Sequence, residues 1–281
     1  MKYIFFGTPH FAEIILDQLI KADMPPHGLV CNPDRPLGRK KIITPPPTKR
    51  LVATCGAATK VLQPEKLDEH FIDELKTLDA DFFVVAAYAK IIPKAVLDVP
   101  RLGTIGVHPS LLPRYRGATP LQSVILNGET ETGVTIYLMD EKMDHGPVLA
   151  QAKMAMNSLT ASYRDLEERL AGAAAELLLR TMPDFYAGRC KPQPQDEDRA
   201  TFTKKFTAED GFVAADDLTA AEQGATPKAE FILRKINALT PEPGVWTTKD
   251  GKRIKLLEAE LRDGALRLKR IQKEGGRPIT P

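Results

Sequence analysis

Asp81-Phe82-Phe83-Val84-Val85-Ala86-Ala87 is an apolar run of strand length, entered through an aspartate. A run without alternation is what a strand covered on both faces requires, and such strands belong to parallel sheets packed between helices. Outward from it the same sign recurs. Residues 3–6 end in Gly7, residues 28–31 read as a second strand, a short run ends at Leu62, and residues 103–107 follow. Helical patterns lie between these runs. Phe11, Ile14, Ile15 and Leu19 fall near helical spacing, residues 67–78 are amphipathic, and residues 119–126 read as a further helix. Residues 135–139 and 147–152 look like a strand pair, and a helix rich in Ala, Leu and Glu runs through 163–180. Strands alternating with helices predict an α/β fold with a mainly parallel sheet.

Past residue 190 the character changes. Residues 191–200 (KPQPQDEDRA) are polar, with two prolines and no apolar period, and read as a linker. A helix candidate at 231–239 is followed by short segments at 245–248, 254–260 and 265–271, separated by Asp250-Gly251 and Asp263-Gly264. Asp-Gly between short apolar segments signals a two-residue hairpin. The expected organisation is a catalytic domain over 1–190, a linker over 191–206 and a small β-rich domain over 207–281.

Composition bounds the function. The 281 residues carry 39 Lys+Arg and 37 Asp+Glu, a net charge of +2. That excludes a uniformly polybasic nucleic-acid binder and an acidic disordered tail. Cys31, Cys55 and Cys190 are odd in number and far apart, so they build neither a disulfide framework nor a metal knuckle. The apolar run at the start is too short for a signal peptide or a membrane span. A soluble, cytoplasmic protein with no membrane partner is expected.

Two loops carry candidate chemistry. Gly7-Thr8-Pro9-His10 joins the first strand to a helix, but only the first glycine of a G-x-G-x-x-G fingerprint is present, so a dinucleotide reading fails. His108 is different. It lies at the carboxyl end of a predicted parallel strand, the edge where open α/β sheets bind ligands, and Pro109-Ser110-Leu111-Leu112-Pro113-Arg114 follows as a stiff loop. Asp140-Glu141-Lys142-Met143-Asp144-His145-Gly146-Pro147 is a polar turn between two strands. A solvated hairpin would look the same. With His108, however, a carboxylate on the neighbouring loop can fix the imidazole tautomer and raise its basicity.

HPSLLPRYRGATPLQ followed by ETGVTIYLMDEKMDHGPVLAQ resembles the folate-dependent formyltransferases. The opening FFGTPHFA, the basic stretch NPDRPLGRKKIITPPPTK and the C-terminal PGVWT…GKRIKLLEAEL resemble the tRNA-acting branch, the methionyl-tRNA formyltransferases. The likeness implies a Rossmann-like domain followed by an OB-like one. It implies formyl transfer from 10-formyltetrahydrofolate, the co-substrate, to the amine of initiator methionyl-tRNA in translation initiation, with no metal and a monomeric enzyme. The family's catalytic histidine falls on His108 and its aspartate on Asp144. Ser110, Leu111, Leu112 and Pro113 match its folate-associated loop. Ala87, Tyr88 and Ile91 fall in the stretch that matches a strand end lining the pterin pocket. The family's asparagine falls on Gly106, which has no side chain, so a donor to the developing oxyanion must come from backbone, from water or from nowhere.

The basic stretch carries the substrate argument. Arg35, Arg39, Lys40, Lys41, Lys49 and Arg50 lie together with no acidic residue, and prolines stiffen the ends. Such a loop would track phosphates, and Arg35, Arg39, Lys40 and Lys41 are the expected tRNA contacts. Residues 252–277 add nine basic against four acidic residues, compatible with a second phosphate surface. Trp246 reads as core of the small domain. Two rival readings stay open: an N-formyltransferase for a nucleotide-linked amino sugar, which would not need the basic loop, and a catalytically impaired folate- or tRNA-binding homologue, suggested by Gly106.

Overall fold

A computed structural model describes residues 1–281 apart from Arg39 and Ala57. In chain order the strands and helices are β1 (Tyr3–Phe6), α1 (His10–Lys21), β2 (Gly28–Val30), β3 (Arg35–Leu37), β4 (Ile42–Thr44), α2 (Pro47–Cys55), β5 (Lys60–Leu62), α3 (Glu69–Lys76), β6 (Phe82–Ala86), α4 (Lys94–Leu97), β7 (Thr104–His108), α5 (Pro120–Leu126), β8 (Glu131–Leu138), β9 (Val148–Ala155), α6 (Tyr163–Tyr186), α7 (Ala215–Glu222), α8 (Thr226–Leu239), β10 (Val245–Lys249), β11 (Lys252–Arg262), β12 (Ala265–Lys273) and β13 (Pro278–Ile279). The chain divides into two compact units. One comprises residues 1–116, 133–153 and 167–201; the other comprises 117–132, 154–166 and 202–281.

The first unit contains the predicted sheet, in the order β5-β2-β1-β6-β7-β8-β9. β1, β2, β5, β6 and β7 run parallel, and β8 pairs antiparallel with β7. All four residues of β1 are buried, as its unbroken apolar run requires, and so are all five of β7, Thr104 and His108 included. α1 covers the sheet with Phe11, Ile15, Leu16 and Leu19. Gly7 is needed where β1 turns into α1: a Cβ there would lie 2.6 Å from the Phe5 ring, 2.7 Å from Ala12 Cβ and 2.9 Å from the Ala86 carbonyl. That close packing accounts for the glycine without any nucleotide. Within residues 35–47, read from the sequence as a loop, β3 and β4 instead pair as a hairpin, and Pro47 opens α2. β3 and β4 pair Arg35 with Thr44 and Leu37 with Ile42, and Gly38 and Lys41 at its tip have φ of 71° and 47°. The strands are only three residues long and carry two-sided exposure, so they lack the apolar signature by which strands are read.

The second unit holds an antiparallel sheet, β10-β11-β12-β13, with α7 and α8. Asp250-Gly251 and Asp263-Gly264 have φ of 52°, 71°, 53° and 75°, the doubly left-handed geometry of the predicted hairpin turns. α8 buries Ile232, Leu233, Ile236 and Leu239. α7 (ADDLTAAE) escapes a search for apolar period because its one buried residue is an alanine, Ala221. Trp246 is half-buried rather than core. Its indole N–H donates to the Ala208 carbonyl (2.8 Å), and the Arg253 guanidinium lies 4.1 Å over its ring.

Candidate active site

β7 ends on His108, so the strand delivers the imidazole to the carboxyl edge of the sheet. The residue is 5% exposed. Its Nε2 lies 2.8 Å from the Tyr115 carbonyl oxygen. A carbonyl only accepts, so Nε2 carries a proton and Nδ1 is the nitrogen left to exchange one. Nδ1 faces Asp144 Oδ2 at 3.6 Å. The two residues that the sequence singled out separately thus stand side by side.

Asp144 sits on a turn that is tied down from several directions. Its own φ is 49°, left-handed, a conformation aspartate tolerates. Gln195 Nε2 donates to the carbonyls of Asp144 (2.9 Å) and Gly146 (2.7 Å). The Gln195 side-chain carbonyl accepts from the buried Arg116, which also holds Glu197 through two hydrogen bonds of 2.6 and 2.9 Å. Arg116 keeps the Glu197 carboxyl below the usual carboxylate range. Gly146 admits no side chain, since a Cβ would lie 1.8 Å from the Leu138 carbonyl. The remaining Asp144 oxygen, Oδ1, accepts from the Tyr137 hydroxyl at 2.7 Å.

Gly106 and Tyr137 explain each other. They are directly opposite in the antiparallel β7–β8 pair, so their side chains share a face. An ideal Cβ at position 106 would come within 2.4, 2.5 and 2.8 Å of the Tyr137 ring and hydroxyl. The space in which the family resemblance implies an asparagine is filled by a tyrosine from the next strand.

The 110–113 loop is built by internal bonds. Ser110 is fully buried; its hydroxyl donates to the Arg114 carbonyl (2.6 Å), and its own carbonyl accepts from Thr135 (2.7 Å). Gln151 Nε2 donates to the Leu112 carbonyl (2.8 Å) and to Thr135 Oγ1 (2.9 Å). Leu112 is buried, whereas Leu111 and Pro113 are half-buried. At the end of β6, Ala87 and Ala89 are both left-handed, with φ of 50° and 65°. Ala87 and Ile91 are exposed, but Tyr88 points inward with its ring edge-on to Phe6. Beside the Asp144 turn is a cavity of about 420 Å³ lined by Lys94, Leu97, Asp98, Met139 and residues 140–142 and 145. Among the described residues no three His, Cys, Asp or Glu side chains gather as a metal would require. No helix among them is long and apolar enough to cross a membrane.

The basic residues divide. Arg35 is paired with Glu65 (2.7 Å) and Lys49 with Asp34 (2.9 Å). Lys40 and Lys41 are exposed at the hairpin tip, with no ion pair among the described residues. Arg39 lies outside the described residues. Tyr137, Gln195 and Glu197 are the site residues that sequence reasoning missed. Tyr137 sits inside a strand, and the other two lie in a polar stretch with nothing local to mark them. Only the register of β7 on β8 would have pointed to Tyr137.

A sequence model described as "Formyl transferase" matches residues 1–182, and one described as "Formyl transferase, C-terminal domain" matches residues 226–265. A methionyl-tRNA formyltransferase of Chloroflexus aurantiacus is 41% identical over 260 residues, covering 92% of this chain and 80% of the relative. The fold resembles that of the methionyl-tRNA formyltransferase from Clostridium thermocellum, with TM-score 0.62 and 18% identity over the whole of both chains. It also resembles HypX from Aquifex aeolicus, solved in complex with tetrahydrofolic acid, with TM-score 0.67 and 19% identity over all of this chain and 46% of the other. The match over residues 1–182 takes in β1 through most of α6, with both His108 and Asp144, and by that match and the identity to its Chloroflexus relative this chain belongs to the formyl transferase family.

Proposed function

We propose that the chain transfers the formyl group of 10-formyltetrahydrofolate to the amino group of initiator methionyl-tRNA, in the cytoplasm and as a monomer. The observation that carries the chemistry is the buried His108, bonded through Nε2 to the Tyr115 carbonyl and facing Asp144 through Nδ1. The amine must be neutral to attack. As its nitrogen bonds to the formyl carbon, the carbonyl oxygen gains negative charge and the nitrogen must lose a proton. His108 Nδ1 takes that proton beside the Asp144 carboxylate and returns it to the departing folate nitrogen when the tetrahedral intermediate collapses. The tRNA as amine carrier is supported by the 41% identity to the Chloroflexus enzyme and by the exposed Lys40 and Lys41, which have no ion pair among the described residues. A tetrahydrofolate-type co-substrate is supported by the fold shared with the tetrahydrofolic acid complex of HypX.

In this reading Leu111, Pro113, Ala87 and Ile91 meet the pterin directly. Ser110, Leu112 and Tyr88 shape the site from beneath, because their side chains are turned into the protein. The test is turnover with 10-formyltetrahydrofolate and either charged initiator tRNA or a nucleotide-linked amino sugar. Formylation of the tRNA alone is the expected result. Formylation of the sugar alone, or of neither, overturns it.

A further inference from the structure

We infer that Tyr137 is a positioning residue for the His108–Asp144 pair: its ring fills the space above Gly106, and its phenol fixes which Asp144 oxygen faces the imidazole. This rests on the reading of His108 and Asp144 as the reacting pair. Tyr137 is 3% exposed. Its place is set by β-sheet register, opposite Gly106, and not by a mobile loop. The hydroxyl has one proton, which it donates to Asp144 Oδ1 (2.7 Å) while Oδ2 faces His108 Nδ1 (3.6 Å). With that proton committed to the carboxylate, the phenol is not the donor to the formyl oxygen. Its effect passes through Asp144.

Two further observations support the assignment. Burial and then the Asp144 charge push the Tyr137 phenol well above its ordinary range, which favours the protonated donor form. The Asp144 backbone is already pinned by Gln195, so the side-chain torsions are the freedom left to the carboxylate. The phenol restricts that freedom by holding one oxygen. Glycine at 106 is the other half of the arrangement, because any Cβ there would displace the ring.

The test compares the parent with Tyr137→Phe and Asp144→Asn. Phenylalanine keeps the ring over Gly106 and removes only the donor. Formyl transfer to charged initiator tRNA is followed in single turnover, and the His108 ring nitrogens by 15N NMR, assigned with His108→Gln. For Tyr137→Phe the expected transfer rate is about ten- to hundredfold lower, the worth of one hydrogen bond to a charged group. KM for both substrates stays within about twofold, and the His108 Nδ1 resonance moves. If Asp144→Asn is crippled while Tyr137→Phe transfers within twofold of the parent, the positioning role falls and the catalytic pair stands. A rate loss that comes with weakened substrate binding and an unmoved His108 resonance also overturns it, since the phenol then only packs. If Asp144→Asn keeps the parental rate, the catalytic reading fails, and the resonance alone decides: moved, Tyr137 still orients the pair; unmoved, it does not.

Discussion

The turn carrying Asp144 and the hairpin carrying Lys40 and Lys41 are built in opposite ways. In the turn each oxygen of Asp144 faces a named group, and Gln195 holds the backbone from two carbonyls. In the hairpin Leu37, Ile42 and Ile43 are more than half exposed, and the two lysines extend from a tip with no ion pair among the described residues. On the proposed function the contrast follows from what each would do. A group that moves a proton must be held to a fraction of an ångström. Charges that meet a phosphate backbone need only be present in number, and freedom to adjust costs them little.

If that contrast is right, substitutions in the turn should act on rate and those in the hairpin on affinity. Asp144→Asn is the largest effect expected. Single-turnover formylation should fall by about 10²–10⁴-fold, the usual worth of a positioned acid–base group. Folate binding by fluorescence titration should be nearly unchanged, and full retention of rate would reduce the turn to a structural one.

Gly106→Asn comes next. The ring of Tyr137 leaves no room, and overpacking of this kind costs about 1–3 kcal/mol, read as a lower urea midpoint at constant slope. In combination with Tyr137→Leu the two changes should be non-additive, with a coupling of about 0.5–3 kcal/mol. Simple additivity would show that the ring and position 106 do not share space.

The joint Lys40→Ala and Lys41→Ala change should weaken tRNA binding and make the log–log salt dependence shallower, by up to about 0.9 for each phosphate the lysines no longer neutralise. Arg35→Ala should do less, because Arg35 is held against Glu65 at 2.7 Å. Equal effects from Arg35 would break the distinction between a charge held by Glu65 and the exposed lysines.

The smallest effect is in the second unit. Hydrogen bonds from Lys204 and from the Thr207 backbone lower Asp210 from 3.8 to about 2. A depressed carboxylate contributes stability above its unfolded value and loses it as pH falls toward about 2. Asp210→Asn should therefore lower the melting temperature slightly at pH 7 and bring no further penalty between pH 4 and 2. A parallel shift at every pH would show that the charge is not what matters there.

The sheet was legible because β1 and β6 are apolar on both faces and bounded by turns. The His108 and Asp144 loops were legible because polar residues at strand ends are unusual enough to notice. What escaped was set by distance in sequence. Tyr137 becomes meaningful only when β8 is laid on β7 in a particular register, and Gln195 only when residues 193–201 fold back to the Asp144 turn. The β3–β4 hairpin escaped for another reason. Its apolar side chains lie largely in solvent, so no hydrophobic pattern records its shape.

The chain Arg116–Gln195–Asp144 ties the Asp144 turn to residues that come after the first unit's last long helix. A stretch that looks dispensable by composition therefore helps to hold the Asp144 turn. The side chains at 191 and 194, by contrast, are exposed. A deletion spanning Gln195 would spare every strand of the sheet and still unfasten the turn on which the carboxylate rides.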